Sequence, residues 1–230
     1  MARVVIPGIP HHVTQRGNRR QKTFFRSSDY DAYLPFLREW ARRSGIKVWA
    51  YCLMPNHVHL ILVPEREESL ARGLGEAHRR FSRMVNARMG WTGYLWQGRF
   101  ASFPLDEVHL WTAVRYVLLN PVRAGLVASA ADWPYSSARA HIARKSDGVV
   151  DIAGLDQPGV RWREFLKCCP TEPELALLRR HCRTGRPLGE KRFVESLERA
   201  TGRILRPMRV GRKPKYSDPG RGAPVGQSLK

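Results

Sequence analysis

The chain has 230 residues, 43% of them hydrophobic, which is enough for a cored domain of about 150 residues plus an extension. Its 40 Lys+Arg against 20 Asp+Glu give a formal net charge of +20 and favour nucleic acid over an anionic membrane as partner. No apolar run approaches the roughly 18 residues of a membrane helix, and MARVVIPGIP lacks the apolar core of a signal peptide; a cytoplasmic, nucleoid-associated protein is expected.

In chain order, His11 to Arg16 reads as a first strand, closed by the turn signal Gly17-Asn18 and followed by a basic loop. Ser28 or Asp29 can cap a helix to about Arg43, with Pro35 as an irregularity and Ser44-Gly45 as its stop. Ile46 to Cys52 reads as a second strand, Leu53 to Asn56 as its connection, and the run from His57 to Val63 as a third strand paired with it in a hairpin. Ser69 to about Met89 reads as a second helix, basic on one side, with Gly73 and Gly75 weakening its first turns. Gly90 to Gly98 carries Trp91, Tyr94 and Trp96, either a hydrophobic lid or a platform for stacking unpaired bases. Arg99 to Pro104 reads as a fourth strand. Asp106 caps a third helix to Asn120, stopped by Pro121 and buried through Val108, Trp111, Val114, Val117 and Leu118.

That order predicts an α+β, ferredoxin-like fold: an antiparallel sheet with helices on one face. Residues 1–145 would form this domain and 146–230 a C-terminal extension. Within the extension, Asp147 to Pro158 reads as a linker or insertion, Glu172 to Cys182 and Glu190 to Thr201 as short helices, and the stretch from Gly211 as a basic, disordered tail. The four cysteines, Cys52, Cys168, Cys169 and Cys182, form no C-x-x-C pair and fit no standard zinc spacing, so they are read as ordinary thiols.

The chemistry concentrates in YCLMPNHVHLILVP, residues 51 to 64. In a strand, His57 and His59 share one face, opposite Val58, Leu60 and Leu62. Two convergent imidazoles are half of a divalent-metal site, or simply two hydrogen-bonded histidines at a strand mouth. On the third helix, Tyr116 and Asn120 are four residues apart and share a face, although a tyrosine there is ordinarily core and an asparagine before proline ordinarily a helix stop. A His pair, a tyrosine, an amide and a strong positive field together suit cleavage of single-stranded DNA by a tyrosine nucleophile. An ion held by His57, His59 and Asn120 would neutralise charge on the phosphate while Tyr116 attacks. Two imidazoles and an amide suit Mg²⁺ or Mn²⁺.

HHVTQRGNRR, YCLMPNHVHLILVP, LWQGRF (residues 95–100) and RYVLLNPVRAGLV (residues 115–127), in that order, resemble the single-tyrosine HUH transposases, and most closely the bacterial REP-associated tyrosine transposases. The resemblance covers residues 3 to about 142. It places the family's nucleophile on Tyr116, its His-hydrophobic-His metal ligands on His57 and His59, and its third ligand on Asn120. Members that move insertion sequences typically have glutamine there; the amide oxygen is kept, one methylene shorter. The resemblance implies the HUH nuclease fold and nicking and rejoining of single-stranded DNA at hairpin-forming repeated palindromes through a 5′-phosphotyrosine. Arg16, Asn18, Arg19, Arg99, Arg115 and Arg123 are the nominated DNA contacts, and either a monomer or a homodimer is compatible. Two other readings are a non-catalytic repressor or nucleoid protein on the same fold and a relaxase-type initiator. The latter usually needs a helicase or further histidines, and no P-loop signature or third ligating histidine is evident.

Overall fold

The computed structural model describes residues 3–207, so the basic tail expected from Gly211 lies outside the described residues. Four strands, β1 (His11–Arg16), β2 (Ile46–Met54), β3 (His57–Pro64) and β4 (Ala101–Pro104), form one sheet of order β2-β3-β1-β4. All pairs are antiparallel, and β1 and β3 are central. With α1 (Ser27–Arg43) between β1 and β2 and α2 (Ser69–Met89) between β3 and β4, this is the ferredoxin-like arrangement expected. The hairpin is tighter than the sequence suggested. Strand β2 continues through Leu53 and Met54, both buried, leaving only Pro55-Asn56 as the turn.

Period-two alternation sorts the strands into two cores. Val13, Val48, Tyr51, Leu53, Val58, Leu60 and Leu62 pack beneath α1 and α2, against Tyr33, Leu37, Leu74 and Phe81. Each such large apolar side chain, fully buried, contributes about 2–3 kcal/mol. The two helices meet the sheet so closely at Gly73 that a Cβ there would lie 2.6 Å from Cδ1 of Ile46 and 3.1 Å from the Trp40 carbonyl. The glycine that weakens α2 locally is therefore required by packing.

The opposite face is covered too, which a one-faced sheet does not anticipate. Ala50, Cys52, Ile61 and Phe103 pack under α3 (Glu107–Leu118) and α7 (Glu172–Thr184), through Val114, Val117, Leu175 and Leu178. Asp106 caps α3 by accepting from the His109 backbone N–H at 2.9 Å, as its position implies. Val108 does not join the buried stripe; it is exposed, and Leu110 and Ala113 take its place. Helix α3 ends at Leu118, just ahead of Pro121. The missing N–H of Pro121 is harmless at a first turn, and this proline opens a short helix, α4 (Asn120–Arg123).

The chain after α4 closes both sheet edges. Tyr135 and Ser137 bond β2, the Asp151 N–H donates to Val48 O at 2.7 Å, and Leu188 exchanges backbone bonds with the β4 side at Pro104 and Asp106. An edge strand left open is an aggregation template, so these contacts also protect the sheet. Asp147 to Pro158, read as a linker, is instead packed. A 3-10 turn at Ile152–Leu155 buries Leu155, and Asp147 accepts from the Tyr51 hydroxyl at 2.6 Å. Before this stretch lies α5 (Ala138–Ala143), and after it come α6 (Trp162–Phe165) and, past α7, α8 (Lys191–Thr201), whose Leu197 packs with Val4 and Leu205. No helix of the described residues is long and apolar enough to cross a membrane.

Candidate active site

Strand alternation puts His57, His59 and Ile61 on the face covered by α3, and Val58, Leu60 and Leu62 on the other, as read from the sequence. The two imidazoles lie 4.9 Å apart between centroids, at 80°. Each has its Nδ1 engaged. His57 Nδ1 is 2.6 Å from Asn56 Oδ1, which can only accept, so the ring proton sits on Nδ1. His59 Nδ1 is 3.1 Å from Nε2 of His12, on the paired strand β1. Neither Nε2 takes a hydrogen bond among the described residues, so both remain as candidate ligand atoms.

Burial keeps these rings neutral. His57 is pushed down to about 4 by burial, then by the nearby Arg16 guanidinium. His59 is held well below the ordinary histidine value by burial, then by His57, His12, Arg16 and Arg123. Neutral imidazole is the ligating form.

Tyr116 reaches the same place from α3. Its ring meets His59 edge-on at 5.3 Å and His12 at 5.7 Å, and the guanidinium carbon of Arg123 lies 4.9 Å from its centroid. Asn120, buried, donates Nδ2 to the Tyr116 carbonyl at 2.9 Å. That bond fixes the side chain and leaves the amide oxygen as the atom free to ligate. Among the described residues no group of three or more His, Cys, Asp or Glu is arranged to hold a metal ion. The donors expected from the sequence, two imidazoles and an amide, would suit an ion that takes further oxygen ligands from phosphate and water.

The nominated cations separate into groups. Arg16 ends β1 opposite His57, and the 3-10 turn Asn18–Arg20 follows it. There Arg19 and Arg20 both adopt left-handed φ, at 51° and 62°, and both are exposed. Non-glycine residues so placed cost about 1–3 kcal/mol each and need support, which comes from Asn56 Nδ2 donating to Arg20 O at 2.8 Å. Asn18 is tied through its backbone to Leu95 O at 2.9 Å. Arg115, by contrast, stacks on Phe165 of α6 at 4.5 Å.

Arg99 lines a groove of about 460 Å³ between α2 and residues 93–100, together with Gln15, Arg83, Tyr94 and Trp96. Tyr94 is 87% exposed, whereas Gln15 Oε1 and Trp96 Nε1 are buried without partners. An exposed aromatic ring, cations and unmatched polar atoms thus share one groove.

Sequence reasoning missed His12 and Cys182. His12 is fully buried, and Cys182 of α7 brings Sγ to 3.8 Å from its Nδ1. All four cysteines are free thiols, and burial pushes Cys182 up to about 11. Alternation in HHVTQR would have put His12 on the His57–His59 face once β1 was paired with β3, but nothing in the spacing announced a residue from α7.

Residues 7–119 match the profile of the IS200-like transposases. A Haemophilus influenzae protein assigned as a REP-associated tyrosine transposase is 30% identical over 38% of this chain and 56% of its own length. The Escherichia coli REP-associated tyrosine transposase is 25% identical over 45% of this chain and 61% of its own. The chain thus spans less than two thirds of either relative. A solved structure of a REP-associated tyrosine transposase bound to a REP hairpin shares the fold, with a TM-score of 0.55 at 24% identity, over 70% of this chain and 92% of that one. Residues 7–119, which carry the sheet, the paired histidines and the tyrosine helix, belong to the IS200-like transposase family.

Proposed function

We propose that the protein cleaves and rejoins single-stranded DNA at hairpin-forming repeated palindromes, using Tyr116 as nucleophile. The observation that carries this reading is the packing of Tyr116 edge-on against His59, beneath Arg123 and beside two imidazoles whose Nε2 atoms are free. His57 and His59, with the Asn120 amide oxygen, would hold Mg²⁺ or Mn²⁺, which supplies charge neutralisation at the phosphate. The Tyr116 oxygen forms a bond to phosphorus as the bond to the 3′ oxygen breaks. The phenol proton passes to solvent, and the leaving oxygen takes one up. A 5′-phosphotyrosine and a free 3′ hydroxyl result, and attack by another 3′ hydroxyl reverses the step without ATP. Arg123, over the phenol ring, favours the charge that develops on it.

The hairpin-bound transposase that shares the fold supports a hairpin as the partner, and the net charge of +20 supplies the field for it. Arg16, Asn18 and Arg19 stand at the mouth by His57, and the groove at Tyr94 and Arg99 offers a seat for an unpaired base. The test is a labelled single-stranded hairpin from the gene's own flanks, incubated with Mn²⁺ and boiled in SDS. A covalent protein–DNA band lost in Tyr116→Phe and with EDTA is expected. Tight, salt-sensitive binding with no adduct across several hairpins would overturn the enzymatic reading in favour of a repressor.

A further inference from the structure

His12 is not one of the three nominated ligands, yet it contacts the two residues that matter most. Its ring is within 9° of parallel with His59, with centroids 5.3 Å apart and Nε2 3.1 Å from His59 Nδ1. That separation is too wide for a face-to-face stack; it is what two rings joined end to end by an in-plane N–H···N bond give. One proton serves the contact. If His59 carries it on Nδ1, its Nε2 keeps a lone pair for a cation. If His12 carries it, His59 must hold its own proton on Nε2 and cannot ligate.

The surroundings of His12 supply partners for the first arrangement. Its Nδ1 faces Cys182 Sγ at 3.8 Å, and that sulfur lies 3.9 Å from Thr14 Oγ1. With the thiol hydrogen directed to Thr14, sulfur accepts from the His12 Nδ1–H, and His12 Nε2 is left bare to accept from His59. We infer that His12 is a positioning residue that holds His59 with Nε2 bare, and that Cys182 of helix α7 holds His12 in turn. The relay Thr14–Cys182–His12–His59 thus links the C-terminal segment to the ligand face. It rests on the reading of His57 and His59 as metal ligands. Partners behind a ligating histidine commonly matter tenfold or more for metal affinity.

The test uses the full-length protein carrying Tyr116→Phe, without DNA. Nitrogen-15 NMR of the metal-free protein should show the His59 proton on Nδ1. In His12→Leu it should move at least partly to Nε2, and Mn²⁺ affinity measured by EPR should fall about tenfold or more. His12→Gln, whose amide oxygen can accept in place of Nε2, should restore affinity to within a few-fold. Cys182→Ala should mix the His59 tautomers, and an unchanged His59 in that variant overturns the thiol's part. A His59 proton on Nε2 in the parent overturns the proposal even where His12→Leu fails to fold. A parent that binds no Mn²⁺ overturns the ligand reading itself, whereas equal binding by parent and His12→Leu overturns only the role of His12.

Discussion

The Arg123 guanidinium carbon lies 4.9 Å from the ring centroid of Tyr116, and Arg123 Nη1 is buried without a hydrogen-bond partner. A cation on the face of a phenol stabilises charge that develops on its oxygen, and a buried N–H with nothing to bond is available to an incoming phosphate. Arg123→Leu is therefore expected to slow formation of the covalent adduct about tenfold or more, a loss of the size seen when one preorganised cation or donor is removed. Hairpin binding should weaken much less, because the other basic side chains remain. Single-turnover rates beside a binding titration check this; equal losses in both would make Arg123 a mere phosphate anchor.

Helix α7 should matter for stability as much as any ferredoxin helix. Leu178 is 1% exposed and packs into the core that holds Phe103 and Val114. Leu178→Ala is expected to destabilise the whole protein by about 2–5 kcal/mol. Truncation after residue 145 should give an aggregating product, since it strips cover from one sheet face and one edge. Urea unfolding of the variant in one cooperative step checks the first; two separate transitions would mean that the segment after residue 145 folds independently.

The central hairpin and the tyrosine helix were legible because their signals are local. Alternation in HVHLILV fixes which side chains share a face, and four-residue spacing puts Asn120 one turn beyond Tyr116. What the sequence hid was non-local. His12 meets His59 across 47 residues and Cys182 meets His12 across 170, and both are settled by strand pairing and helix docking, which leave no periodic trace. The packed stretch around Leu155 escaped for a related reason. It holds β2 through backbone bonds and one buried leucine, so it has the composition of a loop. Pro121 marks the end of α3 as read, but the short helix after it was not anticipated, because a residue that stops one helix is also well suited to start the next.

Asp29 is fully buried and bound by Arg88 from α2, with Nη2 at 3.0 Å from Oδ2, while Phe25 and Arg26 donate backbone N–H groups to Oδ2. Burial pushes its carboxyl up, but the Arg88 and backbone hydrogen bonds outweigh it and hold it below the usual carboxylate value. Arg88→Leu should cost on the order of 3 kcal/mol at pH 7, because it strands a buried charge. The lowered native value means that this stabilisation is complete above about pH 4 and is lost as pH falls through the native value. Urea midpoints at pH 7 and below pH 4 check it: the gap between parent and variant should narrow in acid, and a gap that stays constant would contradict the assignment.

Acid should unfold the protein through its buried neutral histidines, and His78 gives the cleanest test because it packs with Tyr33 and Trp96 rather than with the paired histidines and Tyr116. It sits in α2 with its Nε2 3.0 Å from the Tyr33 hydroxyl, and burial lowers it to about 3. The unfolded chain takes up a proton near pH 6.5 that the native ring refuses, so stability falls steadily as pH drops from about 6.5 toward 3. At pH 5 this one residue is expected to cost about 2 kcal/mol relative to pH 7, by linkage. His78→Gln can still bond Tyr33 but does not titrate, so it should move the acid transition to lower pH, even if it is the less stable protein at pH 7. Circular dichroism followed from pH 7 to pH 3 measures both transitions. A variant that unfolds at the same pH as the parent would mean that His78 is protonated in the native state and that the acid sensitivity lies elsewhere.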